Sequence, residues 1–65
     1  MRITRKQLET KVNSYNSISD IKLKLNDDVI GAINLYTEDN NRIATATTKE
    51  IFYILDALIN VKALE

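Results

Sequence analysis

The chain has no cysteine, no histidine and no proline, and its single glycine is Gly31. Without cysteine it can form neither a disulfide nor a thiolate metal site, and a reducing, cytoplasmic setting is the expectation. The missing histidine and cysteine also remove the commonest general base, metal ligand and thiol nucleophile. One glycine cannot build a loop that cradles phosphate, and with no proline beside it no flexible linker is evident. Uninterrupted apolar runs are only a few residues long, so neither a transmembrane span nor a signal peptide is expected. No internal repeat or low-complexity tract is visible.

What is present describes a small globular protein. Sixty-five residues make one domain, and a hydrophobic content of 45% is ordinary for a folded chain. The formal charge is zero, but it is unevenly spread. Residues 1–24 carry six basic and two acidic side chains, for +4; residues 25–65 carry three basic and seven acidic, for −4. A chain polarised in this way can meet a partner, or its own copy, through opposite charges.

The largest concentration of apolar residues lies in Thr47–Ala63, which reads as one amphipathic helix. Thr47 with Glu50 fits a capping box, in which each side chain satisfies a backbone N–H left over by the first turn. At about 100° per residue, Ile51, Phe52, Ile54, Leu55, Leu58, Ile59 and Val61 span roughly 180°, wider than the usual apolar stripe of about 100°. A small sheet covers one side of such a helix. The flank carrying Phe52 and Ile59 therefore faces either the first helix of the same chain or another protein. Tyr53 borders the polar stripe, where a tyrosine either anchors a partner or rests beside the core with its hydroxyl in water. The closing Leu64-Glu65 is compatible with a vector-derived scar and carries no structural weight in this reading.

A first helix is expected over residues 3–17, with Thr4 and Gln7 as a second capping box and Ile3 and Leu8 as its hydrophobic staple. Leu8, Val12 and Tyr15 supply a narrow core stripe. Asn13, Ser14, Asn16 and Ser17 compete for backbone groups, so the helix should fade there, with Ile18 packing as the chain leaves. Residues 21–25, IKLKL, alternate strictly and predict a strand. Asn26-Asp27-Asp28 suits a three-residue hairpin loop, after which residues 29–37 form a second strand with Leu25 paired to Val29. Glu38-Asp39-Asn40-Asn41 is a second turn, leading to a short strand at 42–46 with Tyr36 paired to Ile43.

This register places Ile21, Leu23, Leu25, Gly31, Ile33, Leu35, Ala44 and Ala46 on the core face. The opposite face carries Ile30, Ala32, Tyr36 and Ile43 beside Lys22 and Lys24, with nothing left to cover it. The expected fold class is α+β, with order α-β-β-β-α: a three-stranded antiparallel meander with both helices packed on one face.

No residue set points to catalysis. Ser14, Ser17 and Ser19 lie in a polar connection with no base near them. Asp27-Asp28 and Glu38-Asp39 lie in predicted turns, and their spacing fails the calcium-loop pattern. The chain is therefore read as a non-enzyme with no cofactor, no metal and no small-molecule substrate. Two modes of association remain. In the first, the chain binds itself as a homodimer, or another protein, through Phe52, Tyr53 and Ile59 or through Ile30, Tyr36 and Ile43. In the second, Arg2, Arg5, Lys6, Lys22 and Lys24 contact nucleic acid. Against the second stand the zero net charge, a poor stacking platform and the absence of any nucleic-acid-binding motif.

The opening Met1-Arg2-Ile3-Thr4-Arg5-Lys6-Gln7-Leu8-Glu9 resembles the start of a group of small proteins encoded by bacteriophages and prophages. In that group a "TRKQLE"-type helix leads into a short β region, and a closing helix begins with a motif similar to Thr48-Lys49-Glu50-Ile51-Phe52-Tyr53. The middle differs, with Val29-Ile30-Gly31-Ala32-Ile33 in place of a glycine- and aromatic-rich hairpin. The resemblance implies a phage or prophage origin and brings no catalytic residues with it.

Overall fold

Thr4 opens the first helix by giving its side chain to the helix end. Its hydroxyl accepts from the Gln7 backbone N–H at 3.1 Å, and the Gln7 amide oxygen accepts from the Thr4 N–H at 2.8 Å. Thr47 and Glu50 repeat the arrangement at the second helix, with both reciprocal bonds at 3.2 Å. In each case two orphan N–H groups of the first turn find partners within four residues. The computed structural model describes residues 2–27 and 31–65. Its order is α1 (Arg5–Ile18), β1 (Leu23–Asp27), β2 (Ile33–Thr37), β3 (Arg42–Ala46) and α2 (Thr48–Ala63), with the strands in one antiparallel sheet in the order β1-β2-β3. This is the α-β-β-β-α, α+β architecture expected, with both helices packed against the sheet on one face and against each other.

The core is one layer. Leu8 and Val12 from α1, Leu23 from β1, Ile33 and Leu35 from β2, and Ile51 and Leu55 from α2 are buried together. Ala44 and Ala46 sit against this cluster from β3, where their small side chains let α2 approach the sheet. Ile3 and Leu8, the staple residues of α1, are both buried.

Several local expectations are corrected. Helix α1 spans Arg5–Ile18 and ends one residue past the expected limit at 17, the polar side chains of its last turns finding partners. Asn16 turns its amide to β1, and the Ser17 hydroxyl donates to the Ser14 carbonyl at 2.7 Å. Ile18 is half exposed instead of packed. The first strand begins at Leu23, two residues late. Ser19 folds the chain back on itself, its hydroxyl accepting from the Ile21 N–H at 3.2 Å and donating to the Ile21 carbonyl at 3.0 Å. Ile21 is consequently exposed rather than a core residue.

Asn26 and Asp27 lie in β1 rather than in a turn, and Leu25 pairs with Leu35, not Val29. The partner moves by six residues, an even number, so the face assignment of Leu23, Leu25, Ile33 and Leu35 survives the error. Gly31 leaves the predicted strand for a bend with φ +86°, a left-handed conformation that favours glycine. The expected strand positions 29 and 30 lie outside the described residues. At the second turn, Asn40 takes φ 67° and its N–H donates to the Thr37 carbonyl at 3.0 Å. The predicted β2–β3 register holds at Ile33–Ala46 and Leu35–Ala44, but a bulge beyond Leu35 pairs Tyr36 with Arg42 in place of Ile43.

Two predictions follow from this layer and its caps. Replacing the fully buried Leu35 in Leu35→Ala should cost about 2–5 kcal/mol, most of the stability available to so short a chain, and abolish a cooperative denaturant transition. The hydrogen bond from the Thr47 side chain, then that from its backbone, hold the Glu50 carboxyl below the usual carboxylate range. A depressed native pKa contributes stability above the ordinary carboxylate range, which fades as pH falls through the native value. Between about pH 6 and about pH 3, the wild type should therefore lose more thermal stability than Glu50→Gln; parallel melting curves would refute the capping role.

Candidate functional site

The outer face of the sheet has no helix over it, and its residues follow from the register. One cross-strand row is Lys24–Tyr36–Arg42 and the next is Asn26–Asn34–Thr45. Asn34 is buried at the centre of this face, and the Thr45 hydroxyl donates to its side-chain oxygen. Lys24 donates to the Asn40 side chain. Tyr36 is half-buried between two cations, whereas Ile43, displaced to the bulge, is 46% exposed. Arg42 as a neighbour of Tyr36 is legible only once the bulge is known; alternation alone aims Ile43 there. Ile30, the remaining member of the expected sheet-face set, lies outside the described residues.

The two helices run side by side in the same direction. Ile3 and Thr48 line one depression at their N-terminal ends. The Lys62 ammonium near the far end of α2 is held above the usual lysine range, first by its hydrogen bond to Glu65 and that carboxylate's charge, with smaller contributions from Tyr15 and Asp20 near the end of α1. Lys11 joins them midway: its ammonium donates to the Asp56 carboxylate at 2.7 Å and stands 5.1 Å above the Phe52 ring. The ion pair is partly exposed and contributes up to about 1 kcal/mol, with a further 0.5–1 kcal/mol or so from the cation over the ring. The flank carrying Phe52 thus faces the first helix of the same chain. Phe52 and Ile59 remain half-buried, and Phe52 packs edge-on to Tyr53 at 5.9 Å. Tyr53 is 54% exposed and Val61 58% exposed. Of the wide apolar arc of α2, only Ile51 and Leu55 are fully enclosed.

The basic residues do not gather into one patch. Arg5 is shared between Glu9 and Asp27, so its charge is locally balanced. The Lys22 ammonium leaves the sheet face and donates to the carbonyls of Asn16 at 2.8 Å and Ser19 at 2.7 Å, closing the C-terminal end of α1. Arg2 lies at the N-terminal end of α2, near Lys49, while Lys6 lines an open depression with Gln7, Thr10 and Phe52. Of the five expected nucleic-acid contacts, Lys24 alone lies beside Tyr36.

Among the described residues no three Asp or Glu side chains gather as a metal cage, and no buried side-chain nitrogen or oxygen lacks a partner. No described helix is long and apolar enough to cross a membrane. What the geometry offers is surface: a polar sheet face with one tyrosine, and an apolar margin along α2 and β3. No protein-family model matches the chain, and no curated protein or solved structure is significantly similar to it.

Proposed function

We propose that this chain is a non-catalytic protein-interaction module that works as a homodimer, in the cytoplasm, and that it derives from a phage or prophage. The observation that carries the reading is the unfinished burial of α2. Its apolar arc is enclosed at Ile51 and Leu55, half covered at Phe52, Ile54, Leu58 and Ile59, and more than half exposed at Val61 and the bordering Tyr53. A chain this short shelters only about 60% of the surface its unfolded form exposes. Each further apolar Å² removed from water contributes about 25 cal/mol, so a second copy that covers this margin stabilises both. The origin rests on the resemblance of the opening and closing helices to phage-encoded proteins, and phage genes flanking the coding sequence are what it requires.

The test is the mass in solution, by sedimentation equilibrium, across micromolar to millimolar chain concentration. A rise from one chain to two is expected, persisting or strengthening as salt is raised because the contact is apolar. A single-chain mass at every concentration would remove the homodimer.

The Lys24–Tyr36–Arg42 row favours a second reading, a weak single-strand nucleic-acid platform in which a base stacks on Tyr36 between two phosphate-holding cations. Two such contacts give a log affinity that falls with log salt at a slope near −1.4, at about 0.7 per contact. The second reading requires that slope for an unstructured oligonucleotide together with loss of binding in Tyr36→Ala. Binding that ignores both salt and the substitution is not this site.

A further inference from the structure

We draw no further inference here: the strongest candidate, the outer edge of the sheet along β3 with the apolar margin of Ile54, Ala57 and Val61 on α2 beside it, carries nothing further because nothing in the structure shows what covers it.

Discussion

Everything in this fold depends on one layer of apolar side chains held between three short strands and two helices, with Leu35 at its centre. Leu35 occupies the middle of the middle strand, with Leu25 across from it on β1 and Ala44 on β3. The helices contribute Leu8, Val12, Ile51 and Leu55 to the same cluster. The molecule measures only 15 Å through its thinnest direction, room for a helix layer on a sheet and nothing more. One such layer leaves little stability in hand. The chain therefore leans on devices that act locally: two complete capping boxes, the Lys22 closure of α1 and the Lys11 link between helices.

What was legible in the sequence divides along the same line. Features set within a few residues were readable, because short-range hydrogen bonding determines them: the pairs Thr4–Gln7 and Thr47–Glu50, the Asn40 turn and the alternation of β3. Features set by distant partners were not. Nothing in IKLKL says that Asn16 will pair with Leu23, or that Ser19 will pull Ile21 out of line, so alternation alone starts the strand two residues early. Asn26 and Asp27 look like turn residues and sit in a strand because Asn34 and Ile33 are there to pair with them. The face pattern nevertheless survived, since the period of two tolerates any even slip in register.

The candidate site shows the same division more sharply. Phe52 and Ile59 were readable as surplus apolar area, but which side of α2 remains open depends on where α1 lies, and that is a tertiary fact. Lys11 has no sequence signal that marks it as the residue that covers Phe52. Arg42 next to Tyr36 arises from a single extra residue in one strand. Lys22, a solvent-facing lysine by alternation, is drawn off to the carbonyls of α1.

The two unequal edges have a common geometrical origin. Strands lie about 4.8 Å apart, so the axes of β1 and β3 are separated by roughly 10 Å, and a sheet of three is narrow. Two helices packed side by side have axes about 8–10 Å apart and bodies about 10–12 Å across, roughly 20 Å in all. With strand bodies counted as well, the sheet is roughly 15 Å across, so the helix layer extends only a few Å beyond it on each side. On the β1 side the overhang is used, because Asn16 and Arg5 reach down from α1 and take up the edge. On the β3 side the overhanging helix is α2, whose outer margin is Ile54, Ala57 and Val61, with no polar group among them able to reach a backbone. The half-covered helix and the unguarded strand are thus one consequence of setting two helices on three strands.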